Sequence, residues 1–312
     1  MITVSDNKTQ RLEQIARLYY EQNKTQKEIA AVFGISRPLV SRLLAEARNV
    51  GIVDIRIHPA NQKTNLLLER VKEQFGLKDG ILLPHNGGDH ALNRNLAFET
   101  INFLNKKGSK HIGISWGHII GTLVEIIEDG TADSTFITDV CPLIGNSGAA
   151  IRNYHSNENV RIIAQHSAAT PHYLYTPAFV ETEQDLDLLK QTDHYKSVFR
   201  QWERMEAVLV NISNHPSTPD LASVARYGDL LVKHKAVGRL IAYHYNENGE
   251  IISSDTDYVI QIPVNLLKKS KNVIGCCSAN VNWRSLLGAL RTGLFTDVVA
   301  TEKHISEILK SL

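Results

Sequence analysis

From residue 80 to the end, six short apolar runs rich in β-branched residues alternate with stretches of helical periodicity. That alternation narrows the possible folds more than any other feature. The runs are GILLP (80–84), HIGIS (111–115), FITDVCPL (136–143), AVLVNIS (207–213), VIGCCS (273–278) and DVVAT (297–301). Helical patterns fall at about 90–106, 117–128, 155–167, 183–204, 281–292 and 302–311. Strands that are apolar throughout are buried on both faces, and a helix after each strand is the connection parallel strands require. The expected architecture is therefore α/β, a large mostly parallel sheet with helices on both sides and ligands at the carboxyl ends of its strands. Trp202 and Phe199, at helical spacing, are expected in the core.

The first 58 residues read differently. Leu12, Ile15, Ala16 and Tyr19 recur at the spacing of an amphipathic helix. Thr25-Gln26-Lys27-Glu28 is a capping box that opens a second helix, expected to carry Ile29, Val32 and Phe33 inward and to stop at Gly34. Ser36 then caps a third helix with Pro38 in its first turn, running from about Arg37 to Arg48 and burying Val40, Leu43, Leu44 and Ala47. Two capped helices joined by a glycine turn make a helix-turn-helix, whose second helix lies in the major groove. A plain three-helix bundle would explain the charges but not two caps and a glycine turn at this spacing. Arg37, Ser41 and Arg42 are placed to reach base edges; Arg48 and the helix starts at Thr25 and Ser36 are placed to hold phosphate. After Gly51 the alternation in IVDIRIHP suggests a wing bearing Arg56 beside the DNA backbone. His58-Pro59-Ala60-Asn61-Gln62 reads as a linker, so the expected domains are 1–58, binding double-stranded DNA, and 59–312.

Charge agrees with this division. Residues 1–58 hold nine Lys/Arg against six Asp/Glu, whereas the whole chain of 312 residues has a net charge of only +1. With 43% apolar residues and 21% charged, disorder and small stapled scaffolds are excluded. Cys141, Cys276 and Cys277 form no CxxC pair and have no histidine partner at zinc spacing, so neither a disulfide framework nor a metal site is expected. No cofactor is called for. The start MITVSDNKTQ lacks a signal pattern and no apolar run has the roughly 18 residues of a membrane helix, so a cytoplasmic, membrane-free protein is expected.

Chemistry-bearing residues gather at strand ends. Gly113-Ile114-Ser115-Trp116-Gly117 matches the GxSxG nucleophile elbow in letters and in its place between strand and helix. A hydrolase would need Asp255 or Asp257 with His304 downstream, and no glycine-rich oxyanion loop precedes the motif. Alternatively, the glycines let helix-start amides approach a hydroxyl-rich or anionic ligand, with Ser115 as donor. The motif is also compatible with a tight turn alone. Leu143-Ile144-Gly145-Asn146 closes the next strand, and Asn280, Asn282, Trp283 and Arg284 follow VIGCCS, so several polar strand ends point to a pocket at one edge. His85 and His118 are expected as polar loop or pocket residues, because nothing stands at metal spacing from them.

Taken in order, the helix-turn-helix, GISWG, PLIGN, TPAFV (176–180), AVGRLIAYHYNENG (236–249) and ALRTGLFTDVVATEKHISEIL (289–309) resemble the SorC family of bacterial sugar-responsive regulators, over nearly the whole chain. The resemblance implies an operator-binding domain followed by an effector domain similar to phosphosugar isomerases, without catalysis and usually assembled as a homotetramer, a dimer of dimers. An active sugar-phosphate isomerase carrying a DNA-binding appendage is the further alternative. The effector is implied to be a small carbohydrate or phosphosugar, and residues matching the family pattern are Ser115, Gly117, His118, Gly145 and Asn146. Arg239 stands where relatives commonly have aspartate, and Trp283 where they have a phosphate-gripping lysine. With Asn280 these two enter only as pocket neighbours. Ile144 replaces the Schiff-base lysine of some deoxyribonucleoside regulators, so covalent capture is not expected.

Overall fold

A computed structural model describes residues 4–22, 24–53, 62–86, 88–148, 151–217 and 226–312. The chain divides into two compact units, Met1–Ala60 and Asn61–Leu312.

In the first unit three helices, α1 (Val4–Tyr20), α2 (Gln26–Phe33) and α3 (Arg37–Asn49), enclose a small core of Ile15, Ile29, Val40 and Leu44. The Thr25 hydroxyl accepts from the Glu28 amide while the Thr25 amide donates to Glu28 Oε2 at 2.8 Å, completing the capping box. The Thr25 hydroxyl, donating to Glu28 Oε2 at 2.7 Å, and the Thr25 amide together hold the Glu28 carboxyl below the ordinary range. Gly34 closes α2 at φ 62°, a left-handed conformation that costs glycine little. Ser36 accepts from the Leu39 amide, with Pro38 in the first turn of α3. Val32, expected inward, is 62% exposed. At 100° per residue it lies roughly 100° from the middle of the face formed by Ile29, Ala30 and Phe33, beyond the reach of so small a core. The expected wing strand and Arg56 lie outside the described residues.

The second unit begins with α4 (Gln62–Phe75) and is built on one sheet. Its parallel strands are β1 (Asp79–Leu83), β2 (His111–Ile114), β3 (Asp139–Pro142), β4 (Thr170–Pro171), β5 (Ala207–Asn214), β9 (Asn272–Cys277) and β10 (Asp297–Thr301), in the order β1-β10-β9-β5-β2-β3-β4. An antiparallel ribbon of β6 (Ala236–Leu240), β7 (Tyr243–Asn246) and β8 (Ile251–Ile252) extends from the end of β5. Side chains alternate across a strand, so Val208, Val210 and Ile212 enter one core while Ala207 and Leu209 enter the other. The second core is covered by α5 (Asp89–Lys106), α6 (His118–Glu128) and α7 (Ser156–Ser167). The first takes α4, α9 (Asp193–Arg204), α12 (Trp283–Arg291) and α13 (Glu302–Ser311).

The helix expected over 183–204 is in fact two, α8 (Glu183–Gln191) and α9. Thr192 divides them, because its hydroxyl caps α9 by accepting from the Tyr195 amide. Trp202 is buried in the core as expected, its Nε1 donating to the Pro142 carbonyl at 2.8 Å. Two short helices, α10 (Leu230–Lys233) and α11 (Val264–Lys269), complete the unit.

Candidate functional site

The chain runs from β2 outward to β3 and β4, then returns to β5 and proceeds the other way through β9 to β10. The direction therefore reverses between β2 and β5, and in sheets of this kind the carboxyl ends at that reversal form the ligand crevice. Ser115, Trp116 and Gly117 follow β2 at this point, opposite Asn211 on β5. Ser115 is fully buried and its Oγ accepts from the Asn211 amide at 2.8 Å. Asn211, 4% exposed, accepts with Oδ1 from the Ile119 amide at 3.2 Å and donates to Ser213 Oγ. Gly117 has φ 116°, and a Cβ there would lie 2.5 Å from Asn211 Nδ2. Conformation and contact both require glycine, so the start of α6 is held directly on β5. The Gly117 amide donates to the Asn153 carbonyl at 3.0 Å.

The end of β9 joins the same network. Asn93 of α5, 3% exposed, accepts from the Ala279 amide at 2.7 Å and donates to His118 Nε2 at 3.2 Å. Asn214 accepts from the Asn282 amide at 2.8 Å and from Ser285 Oγ at 3.0 Å. Asn280 is exposed and takes a hydrogen bond on Oδ1 from Ser278 Oγ at 3.0 Å. Trp283 opens α12 half-buried, with the Arg284 guanidinium over its ring at 5.3 Å and Glu247 3.8 Å from Arg284 Nε. Arg239 is buried, paired across the ribbon with Ser213 and His244. Antiparallel partners share a face, so it belongs to the row that begins with Asn211 and Ser213.

Ser115, Gly117, His118, Arg239, Asn280 and Trp283 are thus brought around three neighbouring strand ends. Gly145 and Asn146 are engaged elsewhere. The Gly145 amide donates to Ile260, the Asn146 amide to Thr176, and Asn146 Oδ1 accepts from the Asn157 amide at 3.3 Å. They make a joint between β3 and the following loops.

Asn93, Asn211 and Asn214 were not singled out by sequence reasoning. Asn211 carries a signal, since asparagine is disfavoured in strands and sits inside the apolar run AVLVNIS. Asn93, within a helical pattern, carries none.

A serine-hydrolase triad is not assembled by the named residues. Asp257 is bound by Arg226 and Tyr227, and Asp255 is exposed. His304 contacts the Val281 carbonyl through Nε2 at 2.9 Å and Thr301 Oγ1 through Nδ1 at 3.1 Å. Among the described residues no group of His, Cys, Asp and Glu is arranged to hold a metal ion, and no helix is long and apolar enough to cross a membrane.

In the first unit Arg37, Ser41, Arg42 and Arg48 are all exposed on α3. By helical geometry Arg42 lies roughly 165° from the middle of the buried Val40–Leu44–Ala47 face, and Arg37, Ser41 and Arg48 fall within about 40° of one another. Arg48 Nη1 donates to Tyr20 Oη at 3.4 Å. The hydroxyls of Thr25 and Ser36 are committed to their caps. A groove of about 560 Å³ is lined by Tyr19, Tyr20, Lys24, Thr25, Lys27 and Arg37, among others, so two lysines not singled out from sequence stand beside the helix starts.

Residues 60–310 match the family model described as "Putative sugar-binding domain", and residues 9–50 match sigma-70 region 4, a helix-turn-helix region. The chain belongs to the SorC family of sugar-binding transcriptional regulators. It is 28% identical to the sorbitol operon regulator of Klebsiella pneumoniae over 95% of this chain and 96% of that protein. To the deoxyribonucleoside regulator of Bacillus subtilis it is 25% identical, over 94% and 95% of the respective chains. The crystal structure of full-length SorC from K. pneumoniae superposes with a TM-score of 0.74 at 24% identity, covering 96% of this chain and 98% of that one. As a SorC-family regulator the chain pairs a DNA-binding helix-turn-helix with a sugar-binding α/β domain.

Proposed function

We propose that this SorC-family chain is a cytoplasmic, sequence-specific repressor of a carbohydrate-utilisation operon, acting by binding without catalysis. Its effector is a small sugar, polyol or sugar phosphate held at the carboxyl ends of β2, β5 and β9. The observation that carries this reading is the gathering of four asparagines where β2, β5 and β9 end, Asn211 and Asn214 holding the starts of α6 and α12 and Asn93 and Asn280 at the loop that follows β9. Side-chain amides both donate and accept, as hydroxyl groups do, and so match a polyol. The likeness to regulators named for sorbitol and deoxyribonucleoside operons supports it. The assembly is a homotetramer, a dimer of dimers, in which the bound effector favours one subunit arrangement and so alters the spacing of paired recognition helices.

A thermal-shift panel of free sugars and polyols beside their phosphates tests the effector. A ligand at 100 times its Kd adds about 2.7 kcal/mol, which is several degrees for a domain of this size. With Trp283 at the place of the phosphate-gripping lysine, and Arg284 lying over that indole and facing Glu247, the shift is expected from unphosphorylated compounds. A response confined to phosphates reverses that assignment, and no response across the panel removes the carbohydrate reading.

On the DNA side, Arg42→Ala is expected to weaken binding to the preferred duplex by about 1–3 kcal/mol. Titrations against preferred and random duplexes decide its role, since equal losses on both make Arg42 a phosphate contact.

A further inference from the structure

The loop 278–282, which joins β9 to α12 and carries Asn280, is fastened on two sides. Toward the effector site it is held by Asn93 and Asn214, through the amides of Ala279 and Asn282. On the other side its Val281 carbonyl lies 2.9 Å from His304 Nε2. A carbonyl only accepts, so Nε2 carries the hydrogen and Nδ1 accepts from the Thr301 hydroxyl at 3.1 Å. Only 4% exposed, the ring is held at both nitrogens.

His304 stands in the first turn of α13, and its amide donates back to the Thr301 cap. Glu302 in the same turn accepts from the Thr64 hydroxyl, in the first turn of α4. Ile305 and Ile308 share a core with Val71, Leu67 and Leu68 of α4. Thus a displaced Val281 carbonyl either breaks the hydrogen bond to the ring or carries the start of α13 with it. A groove of about 280 Å³ beside Leu67, His85 and Ser306 leaves room for the first turn of α4 to shift. Packed helices and hydrogen-bond networks with two discrete arrangements are what carries coupling between distant sites.

We propose that His304 is the positioning residue through which occupation of the β9–α12 loop reaches α4, the helix with which the chain enters the sugar-binding domain. The proposal rests on the effector site described above. It assigns a relay of Val281, His304, Glu302 and Thr64, none of them among the residues placed at the effector site above.

Linkage is reciprocal: whatever the loop does to DNA binding, DNA binding does to the loop. Hydrogen exchange of the full chain is therefore read with and without a duplex enriched from a random pool by the wild-type protein. In wild type the duplex is expected to change exchange across 278–283 by roughly fivefold or more. In His304→Leu that change falls below about twofold, while α4 keeps its response. His304→Gln retains an N–H donor and restores the loop's response. Thr64→Val interrupts the relay without touching the loop and silences it too, which keeps the test valid if His304→Leu does not fold. A purely structural role would lower the melting temperature of the variants and leave the loop's response intact. That result, or a wild-type loop blind to a duplex that protects α4, overturns the proposal. Failure to enrich any duplex instead overturns the DNA-binding reading.

Discussion

Replacing Lys107 by methionine is expected to destabilise the sugar-binding domain by about 3–5 kcal/mol, the usual cost of removing one partner from a buried ion pair. Lys107 Nζ lies 2.6 Å from Asp297 Oδ1, with the lysine side chain 18% exposed and the aspartate 0%. Asp79 sits 3.9 Å away, and Asp79 and Asp297 are register partners on β1 and β10. Without the ammonium two carboxylates face each other, one of them with no access to water. Thr296 Oγ1 still donates to Asp297 Oδ2 at 2.6 Å, but a single hydroxyl replaces little of a full charge. For a domain of about 250 residues the loss corresponds to a fall in melting temperature of roughly ten degrees. Calorimetry on wild type, Lys107→Met and the double variant Lys107→Met with Asp297→Asn checks it. The double variant should recover much of the loss, because the orphaned charge is gone; a single variant within a degree of wild type would show the pair to be inert. Asp297 begins β10, at the amino end of the sheet, so the response to effector should survive in whatever fraction remains folded.

The helix-turn-helix was legible because its signals are local. A cap, a glycine with positive φ and a proline in a first turn act within four residues, and Thr25, Gly34, Ser36 and Pro38 take those roles. The parallel strands were legible for a similar reason, since burial on both faces writes an unbroken apolar run. The β6–β8 ribbon has no such run. Arg239, His244 and Tyr245 are polar or amphipathic residues buried by tertiary contact, with Tyr245 Oη donating to the Ser285 carbonyl at 2.9 Å. Strand propensity alone is weak in such a setting.

The site was legible in part. GISWG named the strand end but not the partner that defines it, because Asn211 lies 94 residues downstream of Gly117 and only the sheet order brings them together. The motif also invited a nucleophile, and the same geometry explains why Ser115 is a poor one. Its Oγ accepts from the backbone amide of Asn211, fastening β2 to β5, whereas a nucleophilic hydroxyl needs a general base within reach. A serine that joins the two strands at the reversal of chain direction gives the α6 start a fixed position. In the proposed effector site, ligand groups would meet there a preformed array, whose ordering has already been achieved in folding.

Acidification from pH 6.5 to about 4 is expected to weaken the folded domain through His304. Burial is the main cause of a pKa lowered from 6.5 to about 4; His85 and Lys303 depress it further, and hydrogen bonds to the backbone of Val281 and Ala279 oppose the shift. Above pH 6.5 the imidazole is neutral in folded and unfolded chains alike, so its stabilising contribution is complete. Between 6.5 and about 4 the unfolded chain takes up a proton that the folded chain resists, and stability falls with pH. The loss attributable to this one ring amounts to about 3 kcal/mol by pH 4, at 1.36 kcal/mol for each pH unit of difference. Carboxylates such as Asp139, whose pKa is lowered by hydrogen bonds from His172 and Thr138 against the opposing effect of burial, lose their contribution only at lower pH. Urea unfolding at pH 7.5, 6, 5 and 4 on wild type and His304→Gln separates the two. The glutamine variant should start less stable and then run nearly flat where wild type declines; parallel curves would mean that protonation of His304 is not what destabilises the fold. Because the same ring fastens the β9–α12 loop to α13 and stays neutral in the folded chain down to about pH 4, the effector's influence on operator affinity should persist across this interval in the fraction that remains folded.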